Sequence, residues 1–240
     1  MKIPQVHILK QIARADVRTY PYPHLFIRGI FPSRTYSRLA GNRPGAETYE
    51  NKSNYPGRKT QVCRDFGKVP LWRRLGEFVR SDLFRDALLA KFNIPYQGRS
   101  LFYLHRDLDG FHIRPHTDIK AKLLSYIFYF PDDFHHAHLG TWLMKPTNPE
   151  LMTEWSEEHL PWAKFTHVTQ APYIPNSLFV WQVTPMSFHA IDVHFDVNDP
   201  VQIRHTLRGF VFREDMPLPH TFDVDREFHG LEPVDVPAVP

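Results

Sequence analysis

From about residue 99 the chain divides into short runs rich in β-branched and aromatic residues, separated by Pro, Asp, Asn and Gly. This rhythm constrains the fold more than any other feature of the sequence, because such runs are half-buried strands and such breaks are turns. The runs cover residues 99–105, 123–130, 141–144, 165–169, 177–183, 187–191 and 203–212. Their number and irregular connections predict a β sandwich or jelly roll. A polar insertion at 146–164 interrupts the series, and no internal repeat is visible.

The first third reads differently. Residues 32–40, closed by Gly41, predict a short helix. Leu71, Leu75, Phe78, Val79, Leu83, Phe84, Leu88, Leu89 and Phe92 recur at helical spacing and predict one or two amphipathic helices broken near Ser81. Residues 42–64 are polar, hold Pro44, Gly45, Pro56 and Gly57, and read as a long loop suited to a substrate lid; 131–138 is a second lid candidate. The expected organisation is one domain over 1–212. It has a helical part to about 95 and a β core over about 96–212, followed by an extended Pro-rich arm at 213–240. The arm offers a contact for a homodimer.

Composition removes several classes. With 42% hydrophobic residues and 19 Phe the chain can bury a substantial core. A formal charge of +3, from interspersed acids and bases, lacks the basic stripe of a nucleic-acid binder. No apolar run is long enough for a membrane helix, and the first residues lack the apolar core of a secretory signal. Cys63 is the single cysteine, so no intramolecular disulfide forms. A cytoplasmic enzyme with no nucleic-acid or membrane partner is the expectation.

Histidine is abundant, at 15 residues. In His116-Thr117-Asp118 an imidazole and a carboxylate stand two residues apart, so on a strand they share a face. A second histidine from another strand would complete the two-His-one-carboxylate set that binds Fe(II). His189, in the short run 187–191, supplies it. His-X-Asp alone is a common pattern and also describes a solvated loop pair. His112 shares the strand face of His116 but has no carboxylate at the right spacing. His135, His136 and His138 lie in a polar turn and read as solvated, with an adventitious metal site as the alternative. Further on, alternation places Arg204, Thr206 and Arg208 on one face of the last run, where a guanidinium beside a hydroxyl suits a carboxylate. Tyr103 and Arg114 flank the metal motif, and Lys122 reads as a strand-edge charge.

These elements in order resemble the Fe(II)/2-oxoglutarate-dependent oxygenase superfamily, in particular its prolyl-hydroxylase-like branch. They are His-X-Asp, an apolar strand, Gly140-Thr141, Pro175-Asn176, Ser187-Phe188-His189 and Arg204-X-Thr206. The lead-in from Pro21 to Ile27, with Phe31-Pro32 after it, extends the likeness over about 21–212. The resemblance implies a double-stranded β-helix (jelly roll, cupin-like) that is mainly β with N-terminal helices. It implies Fe(II) on His116, Asp118 and His189, with the far carboxylate of 2-oxoglutarate on Arg204 assisted by Thr206 and Tyr103. Arg114 and Arg208 would face the substrate. O₂ would be the oxidant and ascorbate a stimulant. The implied reaction hydroxylates a small molecule such as an amino acid, sugar or natural-product intermediate. A protein or peptide hydroxylase and a metal-dependent cupin-type enzyme without 2-oxoglutarate are the alternatives.

Overall fold

The computed structural model describes residues 2–51, 59–63, 69–152, 155, 159–199 and 201–216. The helices are α1 (Gln5–Arg14), α2 (Ser33–Gly41), α3 (Pro70–Arg80) and α4 (Asp82–Lys91). The strands are β1 (His24–Arg28), β2 (Glu50–Asn51), β3 (Thr60–Cys63), β4 (Gly98–Leu108), β5 (His112–His116) and β6 (Lys122–Tyr129). They continue with β7 (Thr141–Pro146), β8 (Phe165–Ala171), β9 (Ser177–Gln182), β10 (His189–Asp192) and β11 (Ile203–Arg213). Two antiparallel sheets result: a seven-stranded one in the order β1-β9-β6-β11-β4-β3-β2 and a four-stranded one in the order β5-β10-β7-β8. This is the expected jelly roll.

The helices cover the outer face of the larger sheet. Ile8 and Ile12 of α1, Leu39 of α2, Trp72, Leu75, Phe78 and Val79 of α3, and Phe84 and Leu88 of α4 pack with Leu124, Tyr126 and Phe128 of β6, Leu178 and Val180 of β9, and Leu207 and Val211 of β11. Burying a side chain of this size stabilises by about 1.5–3 kcal/mol. The inner face carries Ile127, Tyr129, Phe179 and Trp181, which meet Leu143 and Ile191 of the smaller sheet. Strand β6 is therefore buried on both faces throughout, and its sequence is a nearly unbroken apolar run instead of an alternation.

Ser81 divides α3 from α4 as the break in periodicity predicts. Its backbone is extended, it ends α3, and its hydroxyl accepts from Phe84 N at 3.4 Å as the N-cap of α4. The loop expected over 42–64 is corrected in part. Thr60–Cys63 pairs in register with β4, Thr60 opposite Asp107 and Val62 opposite His105, because Val62 and Cys63 have core to occupy. Residues 52–58 and 64 of the proposed 42–64 lid, and 217–240 of the proposed 213–240 arm, lie outside the described residues. No described helix is long and apolar enough to cross a membrane.

Candidate metal centre and buried arginine cluster

Strands β5 and β10 pair so that His116 stands directly opposite His189. The antiparallel ladder brings the two rings to 4.4 Å between centroids, although their residues are remote in sequence. Just past the end of β5, Asp118 turns its carboxylate into the same space, and the three ligand atoms lie within 4.8 Å of one another. The orientation of each imidazole is fixed from behind. His116 Nδ1 is 3.0 Å from the carbonyl of Arg114, and His189 Nδ1 is 3.0 Å from that of Ser187. Nδ1–H donates in each case, so both Nε2 lone pairs are available to a metal.

Asp118 is buried and held by two donors. Lys122 Nζ donates to Oδ1 at 2.5 Å and Ser125 Oγ to Oδ2 at 2.6 Å. Burial alone would raise its carboxyl pKa, but Lys122, His189 and His116 outweigh burial and hold it below the usual range. Burial, together with the neighbouring His189 and His159, pushes His116 well below the ordinary imidazole value despite Asp118. His189 is lowered by burial against the pull of Asp118. Two neutral imidazoles and one ionised carboxylate, already deprotonated, match what a borderline divalent metal requires. Lys122 is thus corrected. It is a buried ion-pair partner of Asp118, with its ammonium 3.6 Å from the Phe210 ring centroid, and not a strand-edge charge.

The arginines lie further along the inner face of the larger sheet. On β11, Arg204 stands opposite Asp107, Thr206 opposite His105 and Tyr129, and Arg208 opposite Tyr103 and Ile127. Phe210 follows opposite Ser125, the residue that holds Asp118. Arg208 therefore stands between Arg204 and the His116–Asp118–His189 cluster, inside the sandwich. Arg204 is fully buried. Its Nε donates to Leu139 O and its Nη1 to Asp107 Oδ2, both at 2.7 Å, and the rings of Tyr129 and Tyr173 each lie 5.3 Å from its Cζ. Arg208 donates to the same Asp107 oxygen and, at 3.1 Å, to Thr206 Oγ1. Thr60 donates to the other oxygen of Asp107 at 2.8 Å.

Two arginines thus share one buried carboxylate, and one positive charge is left over. Among the described residues Arg204 Nη2 has no partner, and neither have the buried Tyr22 Oη and Trp181 Nε1. Trp181 packs on His189 at 4.7 Å, and the Tyr22 hydroxyl is raised by burial and then by nearby Asp118 and Tyr129. The Nη2 and indole groups are donors only, and the hydroxyl can donate. Such buried donors call for acceptors. Surplus positive charge with unmatched donors beside a metal-ligand set fits an anionic, oxygen-rich chelate such as 2-oxoglutarate. Of the Arg204 guanidinium, Nε and Nη1 are engaged within the protein and Nη2 is the nitrogen left for an acceptor.

Of the other sequence candidates, Tyr103 is buried on the face of Arg208. Arg114 is exposed and contributes its carbonyl to His116. His112 is exposed, with Nδ1 3.2 Å from Gly110 O, and stays outside the cluster. Asp107, Tyr22 and Ser125 were missed. Only strand alternation opposite Arg204, which depends on knowing the register, could have singled out Asp107.

No family model and no curated protein matches the sequence. Solved structures do match. A prolyl-4-hydroxylase from Pseudomonas putida superposes with a TM-score of 0.55 over 88% of this chain and 99% of that one, at 14% identity. A prolyl 4-hydroxylase structure from Phytophthora capsici gives 0.51 over 94% and 74%, at 10% identity. The chain shares the jelly-roll fold of these structures. HygX from Streptomyces hygroscopicus, with nickel and 2-oxoglutarate bound, gives 0.51 over 80% and 84%, at 12% identity. Within this fold the histidine pair sits on the smaller sheet and the arginine cluster on the larger one, facing each other across the interior.

Proposed function

We propose that this chain is an Fe(II)- and 2-oxoglutarate-dependent dioxygenase that hydroxylates an unactivated C–H bond of a small molecule. The observation that carries the reading is the pairing of a His116–Asp118–His189 ligand set, both Nε2 atoms free, with a buried arginine cluster of net positive charge on the facing sheet. Bound iron with 2-oxoglutarate and O₂ supplies oxidative decarboxylation to succinate and CO₂ coupled to hydroxylation. His116, Asp118 and His189 would hold the iron, and a set of three protein ligands would leave positions for the cosubstrate. Arg204 Nη2 receives the far carboxylate, Thr206 orients Arg208 beside it, and Tyr103 and Arg208 line the approach. Lys122 and Ser125 hold Asp118 in its ionised form.

A small substrate is supported by the segment before β8. Leu160 N donates to Pro115 O at 2.9 Å, and the ring of His159 lies 4.7 Å from that of His116, so this segment narrows the space beside the metal ligands. A peptide prolyl residue is the second reading, favoured by the fold likeness to two prolyl 4-hydroxylases.

The test is anaerobic titration of metal-free protein with Fe(II) and 2-oxoglutarate, followed by the weak visible charge-transfer band of the chelate. The band should need both components and be absent in His116→Ala and His189→Ala. Succinate release with ascorbate present, screened over amino acids, sugars and proline-containing peptides, then separates the two substrate readings. A folded, Fe(II)-loaded protein that shows no band with 2-oxoglutarate would remove the cosubstrate and leave a metal-only enzyme.

A further inference from the structure

At the end of the sandwich that holds Arg204, the β6–β7 and β10–β11 connections meet through side chains that the iron site does not use. His136 is 5% exposed and its Nε2 lies 2.5 Å from Asp199 Oδ2. His135 Nε2 approaches the same oxygen at 3.9 Å. The sequence reading of this histidine turn as solvated is thus corrected for His136. Each group is set in place by its surroundings. The Phe195 ring packs edge-on against His136 at 5.4 Å. Val201 N donates to Asp199 Oδ1 at 2.8 Å and turns Oδ2 toward the imidazoles. His135 N donates to Asp133 Oδ1 at 2.9 Å and fixes the turn.

We propose that His135, His136 and Asp199 form a second site for a borderline divalent metal ion of the Zn(II) type. A single imidazole satisfies a carboxylate oxygen by hydrogen bonding, so the pair His136–Asp199 alone would need no third member. The second imidazole converges on that oxygen from beyond hydrogen-bonding distance. Ligands bound at about 2.1 Å in a tetrahedral array stand roughly 3.4 Å apart. The two observed separations bracket that spacing, and all three donor atoms lie within 4.8 Å of one another. Two imidazoles and a carboxylate suit zinc and its neighbours better than calcium or magnesium. Water or His138, whose ring is 6.2 Å from that of His136, completes the set.

An ion here clips together two connections that, among the described residues, meet through the His136–Asp199 hydrogen bond and the packing of Phe195 on His136. The clipped segment delivers the Leu139 carbonyl to Arg204 and the Ala137 carbonyl to Tyr173 N. The site shares no ligand with His116, Asp118 and His189, so the two are separable by mutation.

The experiment is titration of the metal-free, full-length protein with Zn(II) against a chromophoric chelator. About two equivalents should bind to the unaltered chain, and about one each to His189→Ala and to His135→Ala. The double variant should bind none with comparable affinity. His135 is exposed, so its removal leaves the fold intact, and near-UV circular dichroism checks this for each variant. Co(II) added to His189→Ala should give visible d–d bands that disappear when His135→Ala or Asp199→Asn is added. Absence of Zn(II) binding to His189→Ala, or binding unaffected by His135→Ala and Asp199→Asn, would overturn the proposal and leave His136–Asp199 as a hydrogen-bonded pair.

Discussion

Asp107 and Lys122 show how much the interior depends on single charges. Asp107 is bonded to both Arg204 and Arg208, and all three lie inside the sandwich. Asp107→Asn would leave two buried guanidinium groups in contact without their counter-ion. Removing one partner of a buried ion pair costs about 3–5 kcal/mol, and urea unfolding should register a loss of that size. Arg204→Lys keeps the charge but gives up the planar fork that serves Leu139 O and Asp107 while leaving Nη2 free. The KM for 2-oxoglutarate should rise about tenfold or more, with a smaller change in kcat at saturation. Lys122→Met would deprive Asp118 of the largest contribution that keeps it ionised. The metal-free protein should lose about 3 kcal/mol, and Fe(II) should raise the melting temperature of the variant more than that of the parent, because the ion replaces the missing countercharge.

At the scale of elements, two turn residues carry testable weight. A Cβ on Gly140 would sit 2.0 Å from the Ala171 carbonyl oxygen, a backbone atom of the paired strand that cannot step aside. Gly140→Ala should destabilise by about 1–3 kcal/mol, measured by thermal melting, through parting of β7 and β8. Asn176 holds a φ of 57° and clasps Phe31 by both backbone groups, accepting from N at 2.8 Å and donating to O at 2.7 Å. This explains why Pro175-Asn176 and the Phe31-Pro32 lead-in were visible together in the sequence: one clasp joins them. The long strands were legible because turns punctuate them, and β6 stood out because helices bury its outer face. Strand β3 was not legible, since four residues within a polar stretch acquire strand character only by pairing with β4. The clustering of His116, Asp118 and His189 was foreshadowed by His-X-Asp and the later Ser-Phe-His. Tyr22 and Asp107 were not, because only tertiary register turns them toward the site.

For the molecule as a whole, buried neutral histidines set the response to acid. His205 is depressed to about 3 by burial and by Arg43 and Arg106, His24 is lowered chiefly by burial, and His116 and His189 are lowered as described. The unfolded chain takes up these protons near pH 6.5 and the folded chain does not. Stability is therefore complete above about pH 6.5 and falls as the pH drops below it, by about 1.4 kcal/mol per pH unit for His205 and in the same direction for the others. The melting temperature of the metal-free protein should decline steeply between about pH 6.5 and pH 4.5, and His205→Gln should flatten the decline. The order of the strands has a consequence for synthesis. Strand β11, the last in sequence among the described residues, lies between β6 and β4 in the middle of the larger sheet. Until it emerges from the ribosome, the nascent chain carries two long unpaired strand edges, and Arg204 and Arg208 have yet to reach Asp107. The larger sheet cannot close until β11 is made, which makes a growing chain, or one truncated before β11, a client for chaperones and prone to aggregation.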